Sequence, residues 1–369
     1  MTRSGVRKVL SAVLSYGVVG LVMWLLYRTV GSSDEVSSAI DSISLAQVLI
    51  VSGLGLVYLA SMFRPMVYTL PGLSMRQAGV ARTASLALAN TVPEGGTVAT
   101  GLTFAMYRSW GFGLSDSTTS IIAIGIWTNL SRYVLMSVAL VLLVTFGSVT
   151  GSTVLIAVGA CVVVTAVCLM IALIITNDGF ARGIGRVLTR FRNALARRFT
   201  RIESRDMEQV IADFRVDLLG RVRTCWRALT ATMLLSQLLG ALVLGVAVRM
   251  SGLSHDEIGW DRIVIAFGAM WLAAFVAPTP GGLGVAEAAL IAVLGAGLAA
   301  SAQAELVAAV LLFRFATWFL PIPLGLIAYL YWRLTTNWRV PTERALTEQT
   351  PETQPSNDLH TRSDDKGSS

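Results

Sequence analysis

Lysine is almost missing from this chain: of its 29 basic residues only Lys8 and Lys366 are lysine, and the rest are arginine. Histidine is scarcer still, with His255 and His360 alone. The three cysteines, Cys161, Cys168 and Cys225, have no metal-ligand spacing and read as small apolar filler. No HExxH, paired-Asp or Cys/His constellation occurs, so neither a metal site nor a bound cofactor is expected. GxxxxGK[ST] is absent too, which excludes a P-loop nucleotide motor. Above all, charge is short, at 14% of residues where a soluble domain carries about a quarter.

What replaces charge is apolar mass. Hydrophobic residues make up 54% of the 369, and the mean hydropathy is +0.67. Several apolar runs reach the roughly 20 residues that cross a hydrocarbon core about 30 Å thick. The fold class expected is an all-α polytopic membrane protein. Full spans are placed at about 9–30, 44–63, 118–147, 152–176, 228–250 and 303–332. The first is longer than a secretory signal's apolar core and reads as a retained helix. Two further apolar stretches, about 79–107 and 262–300, are broken near the middle by Pro and Gly.

The net charge of +7 does not point to nucleic acid, because the basic residues lie between apolar runs rather than on one face. Orientation in a membrane explains them better. Arg3, Arg7 and Lys8 put the N-terminus in the cytoplasm, and the acidic loop "GSSDEVSSAIDS" faces out. Arg64, Arg76 and Arg82 bring the chain back before the first broken stretch, and Arg108 follows it. "SGLSHDEIGWDR" faces out, while Arg333 and Arg339 return the C-terminus to the cytoplasm. This gives a membrane domain over 1–333 and a disordered tail over 334–369. Within the domain, 178–227 reads as a cytoplasmic amphipathic segment. Phe180, Ile184, Leu188, Phe191, Leu195, Phe199 and Ile202 share one helix face there, with arginines opposite.

The two broken stretches resemble each other. Pro93-Glu94-Gly95-Gly96 in the first echoes Pro280-Gly281-Gly282 in the second, and each is followed by a span carrying an arginine, Arg132 and Arg314. One stretch has both ends cytoplasmic and the other both ends outside, so they read as re-entrant hairpins of an inverted repeat. Backbone freed by such breaks is tolerated only inside protein or against a polar cavity. The half-helix after Gly284 would aim its positive end at that cavity, which favours an anion.

Glu94, Arg132, Glu287 and Arg314 all fall at membrane depth, where a charge costs at least about 2.5–3.5 kcal/mol. Two readings stand: Glu–Arg pairs that hold the hairpins to neighbouring spans, or arginines that grip a lipid phosphate beside the glutamates. Asn90, Asn129 and Gln237 are further polar positions, suited to capping, helix–helix bonding or the site.

"PTPGGLGVAEAAL" with "VLLFRFATWFLPIPLGL", and "LANTVPEGGTVATGLTFAMYRSWG" before them, resemble the lysylphosphatidylglycerol synthase transmembrane region, a flippase-like family, over roughly residues 40–333. The matching positions are Asn90, Pro93, Gly95, Gly96, Pro280, Gly281, Gly282, Gly284, Glu287 and Arg314. Glu94 departs from the pattern, since many relatives carry glycine or a basic residue there. The resemblance implies a membrane domain that binds lipid head groups and, in its best-known members, moves aminoacylated phosphatidylglycerol between leaflets. The soluble transferase domain of the synthases has no counterpart here, so the resemblance is to the membrane part alone.

The expected function is therefore transport of a lipid or lipid-linked substrate, not catalysis, in the plasma membrane of a bacterium. The expected partner is an anionic phospholipid or a lipid-linked sugar, with a separate lipid-modifying enzyme as a further partner. A scaffold for a synthase or glycosyltransferase is the second reading, and an intramembrane lipid transferase using Glu287 the third.

Overall fold

A computed structural model of the chain describes residues 43–92, 95–146, 207–276 and 279–335. Every regular element among them is helical. In chain order these are α1 (Leu45–Ser61), α2 (Phe63–Thr69), α3 (Met75–Thr91), α4 (Gly95–Ser109), α5 (Leu114–Phe146), α6 (Met207–Met250), α7 (Trp260–Val276), a 3-10 turn (Pro280–Gly282), α8 (Val285–Leu294), α9 (Ala300–Arg314), a π turn (Phe315–Phe319) and α10 (Pro321–Leu334).

The starts of the helices are written locally. Ser44 and Ser74 each cap their helix by accepting from the N–H three residues on, while Gln47 and Gln77 reach back to the capping residue's own N–H. Between α6 and α7, Ser254 donates its N–H and its hydroxyl to Glu257 at 2.7 and 2.8 Å, which holds that exposed carboxyl below its usual range. Arg249 fastens the same loop to the end of α6 through the carbonyls of Leu253, Ser254 and Ile258.

Four stretches among the described residues are long and apolar enough to cross a membrane: 45–69, 114–139, 223–250 and 300–334. They overlap the expected spans at 44–63, 118–147, 228–250 and 303–332. The spans at 9–30 and 152–176, the amphipathic face from Phe180 to Ile202 and the tail all lie outside the described residues. The described part of the segment 178–227, from residue 207, is continuous with the span at 228–250 as the single 44-residue helix α6. No Gly or Pro interrupts "VRTCWRALTATMLLSQ", so arginines alone do not mark an end to the helix.

Packing relies on small side chains, as expected where lipid is as apolar as leucine and helices associate by close approach. Leu244, Phe267, Leu290 and Phe313 build one core from α6, α7, α8 and α9. Met66, Leu70, Tyr107 and Trp332 build a second, in which the Trp332 indole donates to Ser109 at 2.9 Å. Leu49, Val57, Leu238, Leu326 and Ile327 point outward, over 40% exposed, where acyl chains would meet them.

The seam between α3 and α10 depends on Gly325, where an added Cβ would collide with Ala87 and the backbone of Thr83. Gly325→Val is expected to cost about 1–3 kcal/mol through overpacking. A lowered Tm in detergent, set against a neutral Gly53→Ala control with open space around it, checks this.

Both broken stretches fold back as helix pairs. α3 packs on α4 and α7 on α8. The 3-10 turn also touches α3.

Candidate functional site

The second break is held open by its glycines and fixed by one carboxylate. Gly281, Gly282 and Gly284 have φ of 58°, 70° and 82°, the left-handed region where a Cβ is strained. A side chain on Gly281 would also run into the indole of Trp318. Thr279 closes the turn from inside: its carbonyl accepts from Gly282 at 3.1 Å, and its hydroxyl donates to the Leu283 carbonyl at 2.9 Å.

Glu287 sits in the first turn of α8, 5% exposed. One of its oxygens accepts from the Gly284 N–H at 2.6 Å, and the other pairs with Arg314 Nε. Arg314 in turn donates to the Gly281 carbonyl at 3.2 Å. The α8 N-terminus thus has one of its N–H groups engaged from within the protein. A protein carboxylate already takes the Gly284 N–H, and Arg314 neutralises that carboxylate.

In front of this pair opens a cavity of about 900 Å³. It gathers Asn90, Gly95, Gly96, Asn129, Arg132, Gly281, Gly282 and Arg314, eight of the residues expected from sequence. Glu287 stands behind Arg314 rather than on the wall, Gly284 is the cap of α8, and Pro280 opens the 3-10 turn. Pro93 and Glu94 lie outside the described residues. Gly95 starts α4 at a point where a Cβ would press within 2.7 Å of the Ala89 backbone, so glycine permits the sharp return. Asn90 ties the first break to the second half of the molecule by donating to the Trp318 carbonyl at 2.9 Å.

Arg132 behaves differently from Arg314. Its guanidinium lies 3.7 Å over the ring of Trp271, and its Nε is buried with no hydrogen-bond partner. The cation–π contact offsets part of its desolvation. No carboxylate pairs with it among the described residues.

Arg82 shares the wall. Charge counting uses it only to assign the cytoplasmic side; it lies within α3 and lines the cavity. Its Nη2 reaches the Met62 sulfur at 3.0 Å, and its Nε is also unpartnered. The indole N–H groups of Trp271 and Trp318, on the same wall, are buried and unpartnered too. Four residues of the wall thus carry a buried donor with no acceptor among the described residues, each costing about 1–3 kcal/mol while it stays unmet.

Sequence reasoning missed Arg82, Trp271 and Trp318. Arg82 already lies inside the apolar stretch 79–107, which is the signal that it is not a loop residue. Trp318 sits four residues after Arg314, on the same helix face. Trp271 carries no signal of its own.

The family described as "Lysylphosphatidylglycerol synthase TM region" matches residues 9–325. The chain belongs to that family. The lysylphosphatidylglycerol synthase TM region is a membrane-protein domain, in keeping with the apolar helices and outward-facing leucines described above. No curated protein matches the chain. The matched range runs through both breaks, Arg132 and Arg314, so the cavity is built from family residues throughout.

Proposed function

We propose that this protein carries an anionic lipid across the membrane, gripping its phosphate in the cavity between two broken-helix hairpins. One observation carries the reading: Arg82 and Arg132 stand on the cavity wall without a carboxylate partner among the described residues, beside two unmet indole donors. A lipid phosphate brings the negative charge and acceptor oxygens that such a wall lacks.

Helix length supports re-entrant hairpins. The 10 residues of α8 span about 15 Å, half of a hydrocarbon core about 30 Å thick. The opposite loop charges on either side of the two breaks support an inverted repeat, in which each hairpin exposes the site to one leaflet in turn. Glu287 is engaged by Arg314 and Gly284 and is poorly placed to act as a general base, which favours a carrier over an enzyme. On this reading a separate lipid-modifying enzyme makes or consumes the lipid, and the carrier works in the plasma membrane of a bacterium.

The test is exchange of fluorescent phosphatidylglycerol between leaflets of liposomes that hold the purified full chain. Exchange well above protein-free vesicles is expected. If phosphatidylglycerol and every other anionic lipid tried move only at the protein-free rate, the carrier reading fails and the scaffold reading takes its place.

A further inference from the structure

One face of α3 carries Arg82, Leu86, Ala89 and Asn90 into the cavity. The opposite face, with Ala84, Ala87, Leu88 and Thr91, lines a separate groove of about 720 Å³ between α4 and α10. Its floor is the seam where Gly325 lies against Ala87, and its rims are Val98 and Leu326, both exposed. No charged residue lines it among the described residues. The Thr91 hydroxyl is turned to the backbone, donating to the Ala87 carbonyl at 2.9 Å. Gly101 stands on the α4 wall with nothing within 4 Å of the place a Cβ would take. The groove is therefore open space walled almost entirely by carbon.

Groove and cavity approach the first break from opposite sides. Asn90 and Thr97 line the cavity, while Thr91 and Val98, their neighbours in the chain, line the groove. A ligand that fills both is polar at one end and apolar at the other, which describes an acyl lipid. The groove alone confers no selectivity, because lipid tails are as apolar as leucine and a chain gains little by leaving them. The head group supplies it. Once the arginines hold the phosphate, the attached chain meets the groove at a high effective concentration.

We infer that the groove between α3, α4 and α10 seats one acyl chain of the lipid whose phosphate the cavity holds. This rests on the proposed phosphate site and adds a second, apolar site for the same molecule.

The test is photolabelling of the purified full chain in phosphatidylcholine nanodiscs. Two probes carry the same diazirine in an acyl chain: phosphatidylglycerol, and diacylglycerol, which has no phosphate. Labelling at Val98, Leu102 and Leu326 is expected to be about ten-fold heavier with the phosphatidylglycerol probe. At Leu49 and Leu238, which face outward elsewhere, the two probes should label alike. Gly101→Phe fills the groove where there is room for a ring, and it should remove the excess. Equal labelling of the groove by both probes, no label there from either, or an excess that survives Gly101→Phe overturns the acyl seat. Phosphatidylglycerol exchange in liposomes then separates the causes. Exchange that persists leaves the phosphate site standing, and exchange at the protein-free rate removes that site as well. The wild-type ratio of the two probes decides the matter even if Gly101→Phe does not fold.

Discussion

Glu287→Ala is expected to destabilise the protein by about 3–5 kcal/mol, because it strands Arg314 as a buried charge without its counter-ion. The side chains of the pair are only 13% and 7% exposed, so water cannot take over the role. The same substitution removes the acceptor for the Gly284 N–H, and lost helix caps cost about 0.5–2 kcal/mol elsewhere. Arg314 would then be free to leave the Gly281 carbonyl, which loosens the turn itself. Glu287→Gln separates the two roles, since its amide oxygen can still accept from Gly284 while the charge is gone. Thermal unfolding in detergent should rank wild type above Glu287→Gln and Glu287→Ala lowest. A wild-type Tm for the alanine variant would show that the pair does not hold the break.

Arg132→Met should behave in the opposite way. Arg132 has a ring beneath it and, among the described residues, no carboxylate beside it, so methionine removes a charge that none of them compensates and keeps much of the packing on Trp271. Tm is expected to stay level or rise. Binding of phosphatidylglycerol is expected to weaken by about 2–5 kcal/mol, which is about 30-fold to about 4,000-fold. Arg132→Lys should fall between, because an ammonium keeps the charge but loses the planar fork and its stacking. The two measurements together identify a residue maintained for a ligand rather than for the fold. Unchanged binding, or a fall in Tm that accompanies the loss of binding, would place Arg132 among the structural residues instead.

Much of this site was legible in the residues themselves. The interruptions near Pro93 and Pro280 were visible because Pro breaks a helix and Gly weakens one, and α3 and α4, like α7 and α8, are separate helices. Arg132, Glu287 and Arg314 were visible because charge in an apolar run is expensive and therefore has a use. Asn90 was visible as a polar group at depth, though its bond to the Trp318 carbonyl spans too much of the chain for any local rule to find. Arg82 was not placed in the site for a simple reason. Counting arginines assigns sides of a membrane, but it does not say how far into a helix a side chain reaches. The continuity of α6 through 207–227 was hidden in the same way, since a helix leaving the bilayer changes its solvent without changing its backbone.

The π turn at Phe315–Phe319 has a consequence for phase. Arg314 and Gly325 stand about three turns apart, so in an uninterrupted α-helix they would project from nearly the same side. The π turn takes up one extra residue, so α10 is rotated by roughly a quarter of a revolution relative to α9. That rotation lets one continuous rod send its arginine toward the cavity and its glycine against Ala87 of α3. It also leaves the Trp318 carbonyl free for Asn90. Deleting a single residue from this turn would restore the regular winding and bring both contacts out of phase together. The length of the chain between Arg314 and Gly325 is therefore as tightly constrained as the identity of either residue.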